Sequence, residues 1–274
     1  MGKEQKKIVY YNDPVNDDFA DIKIKTKKVD KNFKFVHKNP FWNIFAWIIY
    51  YFLAVPIVWV YVKVFLRVKI VNKKALKKVK RGVYLYGNHS GVTDVFIPSM
   101  IILPRRCKII ASPDSVSIPC IKNLVQMLGA LPLPTDFSGM RGFVNAVEYY
   151  SKKNYDIAIF PEAHIWPYYT GVRPFKDSSF AYPANDNSPV VAFFVAYSKP
   201  KGFMSKFRKA NMTVYVSDPI YADEKKTKNE KKAFLRDETY RFMSECSKKY
   251  STYEVVRYLP GNETDKNIEI IQTP

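Results

Sequence analysis

Residues 83–94 have the sequence VYLYGNHSGVTD, in which an apolar run ends at a glycine and is followed by a histidine and an aspartate. The apolar run 83–87 predicts a buried strand, because glycine often marks the point where such a strand ends. Asp94 is the type of residue that begins a helix, since its carboxylate accepts the free N–H groups of a first turn. The stretch therefore predicts a strand–loop–helix unit with His89 in the loop.

His89 and Asp94 are near enough in sequence for the loop to bring their side chains together. A carboxylate that binds one ring nitrogen of a histidine fixes the tautomer and raises the basicity of the other nitrogen. The pair would then be a general base that works near neutral pH. The same residues also fit a simpler interpretation, in which Asp94 caps a helix and His89 is an unrelated surface residue.

Strands and helices alternate in the rest of the chain. We predict strands at 83–87, 107–111, 156–160, 189–197 and 211–216, and helices at 94–103, 115–128, 138–153 and 229–250. Nearly continuous apolar strands that are separated by helices indicate a sheet covered on both faces. The sequence thus predicts an α/β fold with a mixed, mostly buried sheet that is flanked by helices.

A second polar motif, FPEAH at residues 160–164, follows the predicted strand 156–160. The carboxyl ends of buried strands in an α/β sheet share one edge, so Glu162 is expected at the same edge as His89. There its carboxylate would hydrogen-bond a substrate that carries a hydroxyl group. The alternative is an ordinary loop glutamate in solvent.

Residues 41–62, FWNIFAWIIYYFLAVPIVWVYV, form an apolar segment with one strongly polar side chain, Asn43. The length suits a membrane, and the tryptophan and tyrosine rings prefer the headgroup level. Pro56 divides the segment into two arms that are each too short to span a bilayer. Because basic residues flank both ends, we expect a kinked or hairpin segment that dips into one leaflet from the cytoplasmic face. The alternative is a buried core helix of a soluble protein.

The charge of the chain agrees with a protein that works at a membrane surface. Lys and Arg number 44 against 25 Asp and Glu, which gives a formal net charge of +19 and predicts a polyanionic neighbour. Each basic residue beside an anionic leaflet contributes about 1 kcal/mol of binding. Because the chain has no sequence module typical of nucleic-acid binding, membrane lipids are the expected partner and nucleic acid is not.

The chain divides into four regions: a polar, loosely ordered N-terminal arm at 1–40, a membrane-associated helical segment at 41–65, the α/β domain at 66–258 and a frayed polar tail at 259–274. The arm has room for one short strand. Three cysteines in 274 residues exclude a disulfide scaffold and fit a reducing compartment. The three histidines lack the ligand spacing of a metal site. The sequence makes no prediction of the oligomeric state.

Together the two polar motifs resemble those of the glycerolipid acyltransferase family, which includes the 1-acylglycerol-3-phosphate (lysophosphatidate) acyltransferases. His89 and Asp94 match an N-H-x4-D motif, and an F-P-E motif follows at 160–162. The resemblance covers residues 66–220 and includes LGA at 128–130, PFK at 174–176 and PVVAF at 189–193. The apolar segment before the domain is also similar to that family.

The resemblance implies transfer of a fatty acyl group from acyl-CoA or acyl carrier protein to a hydroxyl of a lysophospholipid such as lysophosphatidate. In this scheme His89 takes the proton from the hydroxyl, Asp94 orients His89, and Glu162 binds the acceptor. The oxygen attacks the thioester directly, so the scheme needs no covalent acyl-enzyme, no cofactor and no metal. The implied location is the cytoplasmic face of a membrane.

The chain also departs from the family pattern. Ala163 stands where the family has a glycine, and the cationic residues that the family has near 112–113 and 131–136 are absent. Arg141 and Arg173 are the candidate substitutes for binding a phosphate. The acceptor is therefore open between lysophosphatidate and another lysolipid or hydroxylated amphiphile. The alternative function is that of a catalytically reduced lipid-binding or scaffold relative.

Overall fold

The computed structural model describes residues 7–20, 26–79, 82–118, 121–201 and 208–261. The strands in these ranges are β1 (Lys7–Tyr11), β2 (Lys69–Val71), β3 (Tyr84–Gly87), β4 (Cys107–Ala111), β5 (Ala130–Pro132), β6 (Asp156–Ile159), β7 (Val190–Ser198), β8 (Asn211–Val216) and β9 (Val256–Pro260). The α-helices are α1 (Pro40–Ile48), α2 (Val55–Val60), α3 (Ile97–Ile102), α4 (Lys122–Leu128), α5 (Phe137–Lys152), α6 (Ala181–Asp186) and α7 (Lys228–Tyr250).

A seven-stranded sheet forms the centre of the described fold, with the strand order β2-β8-β7-β3-β6-β4-β5. β3 pairs in parallel with β6 and β7, and β4 pairs in parallel with β5 and β6. β7 and β8 are antiparallel, which makes the sheet mixed. A separate two-stranded sheet joins β1 to β9 in parallel. The predicted α/β class with a mixed sheet is confirmed.

Two apolar cores cover the two faces of this sheet, because successive residues of a strand point to opposite faces. Tyr84 and Tyr86 of β3 belong to the core that contains Phe143 of α5 and Leu235 of α7. Leu85 of β3 points the other way, into the core that contains the buried side of α3. Burial on both faces explains why the strands are continuous apolar runs rather than alternating ones.

Most of the predicted elements lie within a few residues of the observed ones, and β4 and β8 have the predicted bounds. The predicted helix at 115–128 is wrong in its first half. The structure has a short 3-10 turn at Pro113–Val116 and begins α4 at Lys122. A proline at position 119 has no N–H with which to continue a helix, and residues 119–120 lie outside the described ranges.

The N-terminal arm is anchored to the domain, so its interpretation as loosely ordered is wrong for the part that the structure describes. The N–H of Phe19 donates to the carbonyl of Ile165 at 3.1 Å. Further along, the N–H of Val29 donates to Thr135 Oγ1 at 3.0 Å. Val29 and Phe35 are buried in the core beside α5. Apolar anchors between the polar residues explain this order, because each one removes apolar surface from water.

The end of the described chain is also paired. β1 is the short strand that the sequence allowed in the arm, and it binds β9 over five residue pairs from Lys7–Val256 to Tyr11–Pro260. Residues 259–261, which the sequence assigned to a frayed tail, are therefore paired with β1. Residues 262–274 lie outside the described ranges.

One continuous helix covers Pro40–Phe65 and is long and apolar enough to cross a membrane by length and composition. We call it the apolar helix. Between α1 and α2 it widens into a π-helical stretch, Ile49–Ala54, where the N–H of Val55 donates to the carbonyl of Tyr50. The wider turn accommodates the ring of Pro56, which has no N–H to contribute. The helix does not turn back at Pro56, so the expected hairpin is wrong.

The apolar helix lies along the domain and keeps most of its surface exposed. Ala46, Tyr50 and Val62 are its buried residues, and the hydroxyl of Tyr51 donates to the carbonyl of Pro104 at 2.8 Å. Only 11% of the most apolar 18-residue stretch of the helix is buried. A core helix of a soluble protein buries most of its apolar side chains, so the core-helix alternative is wrong.

Candidate active site

The loop that carries His89 begins where β3 and β7 approach closely. Gly87 ends β3, and a Cβ at this position would lie 2.1 Å from the ring of Phe193 on β7. Glycine is required here because the aromatic ring occupies the space of a side chain. The next residue, Asn88, accepts the N–H of Val195 through its Oδ1 at 2.8 Å. These two contacts fix the point at which His89 leaves the sheet.

One carboxylate oxygen of Asp94 contacts three groups of the loop. Its Oδ2 accepts the N–H groups of Ser90 at 2.7 Å and Gly91 at 2.8 Å, and it lies 3.4 Å from His89 Nδ1. Asp94 is fully buried in the 3-10 turn Val92–Phe96 that leads into α3. A separation of 3.4 Å is a loose hydrogen bond, of the kind that active sites without substrate often show. Nδ1 faces the carboxylate, which leaves Nε2 to accept a proton.

Glu162 reaches the same loop from the neighbouring strand. β6 lies beside β3 in the sheet, and Glu162 follows the end of β6 as His89 follows the end of β3. Its Oε2 accepts the backbone N–H of His89 at 3.3 Å. Glu162 is 4% exposed, so it supports His89 from within the protein and does not present its carboxylate to solvent.

Arg173 is the partner of Glu162. Its backbone N–H donates to Glu162 Oε1 at 3.2 Å, and its guanidinium Nε lies 3.5 Å from Oε2. Its Nη2 donates to the carbonyl oxygens of Glu162 and His164. The Arg173 side chain is 1% exposed. The structure therefore commits the guanidinium to Glu162, whereas the sequence suggested a surface ligand for phosphate.

Burial and pairing have opposite effects on the pKa values of Glu162 and Arg173. Burial raises the pKa of the Glu162 carboxyl, while Arg173 and the two backbone N–H groups oppose the rise. Burial likewise lowers the pKa of Arg173, and Glu162 opposes that change. Each charge is therefore tolerated only because the other is present.

The segment after Glu162 runs beside the His89 loop and binds its carbonyls. The N–H of Trp166 donates to the carbonyl of His89 at 3.2 Å, and the N–H of Tyr168 donates to the carbonyl of Ser90 at 2.8 Å. Phe160 stacks on the imidazole with ring centroids 4.4 Å apart. The two motifs thus form one unit, in which both the backbone and the ring of His89 have fixed neighbours.

Ser90 and Tyr197 form a contact that the sequence analysis missed. Ser90 Oγ lies 2.9 Å from the hydroxyl of Tyr197, and that hydroxyl also donates to the Ser90 carbonyl at 3.2 Å. Tyr197 is buried in β7, within a run where the sequence shows only apolar strand character. Its role could not be found because only the fold brings β7 beneath the loop. Ser90 has a structural partner and is not arranged as a nucleophile.

Ala163 adopts a backbone conformation that favours glycine, with φ of 63°. A residue with a side chain pays roughly 1–2 kcal/mol in this left-handed region. The chain tightens here: the N–H of Ala163 donates to the carbonyl of Phe160 at 3.1 Å, and the N–H of His164 donates to that of Glu162 at 2.8 Å. Alanine in this tight turn therefore costs conformational free energy that the glycine of the family pattern would not.

Arg141, the remaining candidate residue, lies away from this unit, as does the nearby histidine of the second motif. Arg141 is exposed on α5, which follows the edge strand β5, three strand positions from β3. Within the described ranges, no hydrogen bond or ion pair joins Arg141 to His89, Asp94 or Glu162. His164 is a partly exposed surface residue whose Nδ1 lies 3.5 Å from Asp18 Oδ2.

An apolar cavity of about 270 Å³ lies between the apolar helix and the domain. Val95 and Phe96, which directly follow Asp94, line one part of it. The apolar helix contributes Ala54 and Val58, and Ala111 lines it from the carboxyl end of β4. The cavity therefore begins beside the His89–Asp94 loop and has the membrane-type helix as a wall. We call it the apolar cavity.

Comparisons with known proteins agree with the motifs. Residues 67–195 match the sequence model of the family described as Acyltransferase. Among solved structures, the chain is similar to the 1-acyl-sn-glycerophosphate (LPA) acyltransferase PlsC from Thermotoga maritima, at 15% identity and a TM-score of 0.49. That alignment covers 68% of this chain and 74% of the other. No curated protein sequence matches the chain.

We expect Glu162→Gln to destabilise the protein by about 3–5 kcal/mol, because it leaves the buried Arg173 without a countercharge. The double variant Glu162→Gln/Arg173→Met should recover part of this loss, since it removes both charges. Chemical denaturation measures both values. Glu245→Gln is the matched control, because it removes one partner of an exposed pair with Arg241. Equal stability of Glu162→Gln and the control would contradict the assignment of a buried, interdependent pair.

Proposed function

Because residues 67–195 match the Acyltransferase family model and carry the His89–Asp94 pair, we propose that the protein is a membrane-surface O-acyltransferase. It moves a fatty acyl group from acyl-CoA or acyl carrier protein to a hydroxyl of a lysophospholipid such as lysophosphatidate. The observation that carries this proposal is the His89–Asp94 pair, held at the carboxyl edge of the sheet beside the apolar cavity. A base and a place for an acyl chain then lie next to each other.

The geometry supports a direct transfer. His89 Nε2 accepts the proton of the acceptor hydroxyl while Asp94 at Nδ1 stabilises the imidazolium that forms. The hydroxyl oxygen attacks the thioester carbonyl, the new C–O bond forms, and the C–S bond breaks. The imidazolium then returns the proton to the departing thiolate, so the products are an ester and a free thiol. No residue of the enzyme is acylated in this sequence.

Glu162 has a positioning role in this proposal. Its carboxylate holds the backbone N–H of His89 and is itself held by Arg173. A carboxylate that is 4% exposed and paired in this way is not a free ligand for an acceptor hydroxyl. The acceptor-binding role that the resemblance implied for Glu162 is therefore replaced by support of His89 from behind.

The apolar cavity suits an acyl chain. Its lining is almost entirely aliphatic and aromatic, apart from the hydroxyls of Ser99, Ser115 and Tyr50. Moving a hydrocarbon chain from water to such a surface is favourable by about 0.8 kcal/mol per methylene. Because the wall of the cavity is the apolar helix, a chain that leaves a bilayer would reach the cavity without crossing water.

The apolar helix supports attachment to a membrane surface. Its exposed side chains include Phe41, Phe52, Leu53 and Phe65, each more than half exposed, which is a large apolar face for a soluble protein. Because the opposite side of the helix packs on the domain, a helix that crossed the bilayer would draw charged parts of the domain into it. The helix is therefore proposed to lie in one leaflet, on the cytoplasmic face.

His89→Ala should lower acyl transfer by at least about 100-fold, because general-base catalysis is typically worth that factor or more. The assay follows thiol release from a long-chain acyl-CoA with a panel of lysolipid acceptors, and it is repeated with acyl carrier protein as donor. His164→Ala is the matched control, since this histidine is at the surface and pairs with Asp18. Turnover by His89→Ala equal to that of the wild type would refute the mechanism. No release from either donor with any acceptor would favour the catalytically reduced relative.

Ala54→Trp should reduce turnover of long-chain donors more than that of short-chain donors, because the indole would occupy part of the apolar cavity. Leu53→Trp is the control, since Leu53 is the neighbouring residue and is 54% exposed. Turnover is measured against acyl-CoA chain length for both variants. An unchanged chain-length profile in Ala54→Trp would mean that the acyl chain binds elsewhere.

The double variant Phe52→Asp/Leu53→Asp should lose binding to vesicles without loss of fold, because both side chains lie on the exposed face. Co-sedimentation with phosphatidylcholine–phosphatidylglycerol vesicles at moderate salt measures binding, and thermal unfolding checks the fold. Tyr221→Asp is the control, as it removes a comparably exposed aromatic side chain from the domain. Vesicle binding that survives in the double variant would show that the apolar helix is not the contact.

A further inference from the structure

A second cavity, small and polar, lies under the start of the apolar helix, and cationic side chains surround it. Lys108 and Arg106 of the β4 region, together with His37 from the N-terminal arm, line it. Trp42 of α1 and Gln126 of α4 complete its walls. We call it the cationic cavity. The His89 mechanism uses none of these residues.

The cationic cavity is separate from the active site. Lys108 is paired with Ile157 near the beginning of β6, whereas Glu162 lies beyond the end of that strand. Successive residues of β4 also point to opposite faces. Ile109 accordingly lines the apolar cavity, and Lys108 lines the cationic one.

The donors of this cavity are poorly paired. The ammonium of Lys108 lies 4.3 Å from the ring centroid of Tyr150 and is 7% exposed as a residue. Arg106 Nη2 donates to the carbonyl of Met127, but Arg106 Nε and His37 Nε2 are buried with no hydrogen-bond partner among the described residues. Buried donors of this kind cost free energy until an acceptor reaches them.

The described ranges supply no carboxylate for these cations. No ion pair with Lys108, Arg106 or His37 occurs among the described residues. Burial lowers the pKa of Lys108 to about 7, and Arg106 adds to that effect. Burial lowers the pKa of His37, a hydrogen bond with Gln126 opposes the change, and the neighbouring Lys34, Lys108 and Lys122 add to it. The cavity thus collects basic groups whose charged forms burial disfavours, and no carboxylate of the described residues lies among its lining residues to balance them.

We propose that the cationic cavity is a binding site for a phosphate group, with Lys108 as its central ligand and Arg106 and His37 as additional donors. A tetrahedral oxyanion accepts hydrogen bonds from several sides at once, which matches donors that come from a strand and from the arm. Phosphate supplies the missing negative charge and the missing acceptors together. Trp42 and the first turns of the apolar helix form one wall of the cavity. The same donors would bind the phosphate of a lipid headgroup or a free phosphate.

The test compares phosphate binding by the full chain and its variants in phosphatidylcholine vesicles. Inorganic phosphate is titrated while the unfolding temperature is followed, because a ligand that binds only the native state raises it. Lys108→Met should weaken the response about tenfold or more, since it removes a charge-assisted hydrogen bond. Lys69→Met is the matched control, as Lys69 is an exposed lysine on β2 at the opposite edge of the sheet.

A second arm identifies the source of the phosphate. Vesicles with and without phosphatidylglycerol are compared for the wild type, Lys108→Met and Lys69→Met. Loss of the phosphatidylglycerol preference in Lys108→Met alone would assign the site to a lipid headgroup. Loss of the inorganic phosphate response alone would assign it to a free phosphate.

Two results would contradict a phosphate site in the cationic cavity. A wild-type protein that responds neither to inorganic phosphate nor to phosphatidylglycerol would overturn it, as would responses of Lys108→Met equal to those of the wild type. If Lys108→Met does not fold, Arg106→Gln replaces it and must show the same selective loss. Because binding rather than turnover is measured, the result does not depend on the acyltransferase assay.

Discussion

Two buried carboxylates hold the backbone of the His89 loop, and the rest of the site depends on that constraint. Asp94 accepts the N–H groups of Ser90 and Gly91, and Glu162 accepts that of His89 itself. A buried carboxylate is stable only where donors surround it. The backbone N–H groups of the loop are those donors. The same hydrogen bonds fix the conformation of the loop relative to the two carboxylates. Arg173 completes the arrangement by neutralising Glu162.

Under the proposed function, the apolar helix would connect the site to the membrane through a single element. Its inner side forms a wall of the apolar cavity through Ala54 and Val58, and its outer side exposes Phe52 and Leu53. The helix contacts the domain through Ala46, Tyr50 and Val62, which lie along its length. The π-helical stretch before Pro56 is what permits this, because a break at the proline would separate the two halves of the wall.

The sequence predicts those features that depend on local pattern. The strands are found because they are continuous apolar runs, and the His89–Asp94 pair is found because both residues lie in one loop. The pairing of Arg173 with Glu162 could not be predicted, because it depends on how the loop after β6 folds back. The hairpin at Pro56 was wrong for a related reason. A proline limits an α-helix, but the sequence does not show that a π-turn will accommodate the ring.

The position of the cations bears on which acceptor the enzyme takes. Arg173 is committed to Glu162 inside the protein, and Arg141 lies on a helix that follows the far edge strand. Lys108 and Arg106 line the cationic cavity, which has none of the His89, Asp94 and Glu162 side chains in its walls. Under the proposed function, the described part of the site would hold the reacting hydroxyl by the His89 loop and the acyl chain by the apolar cavity. Discrimination among acceptors would then rest on the fit of the hydroxyl-bearing end to this loop more than on a dedicated phosphate clamp.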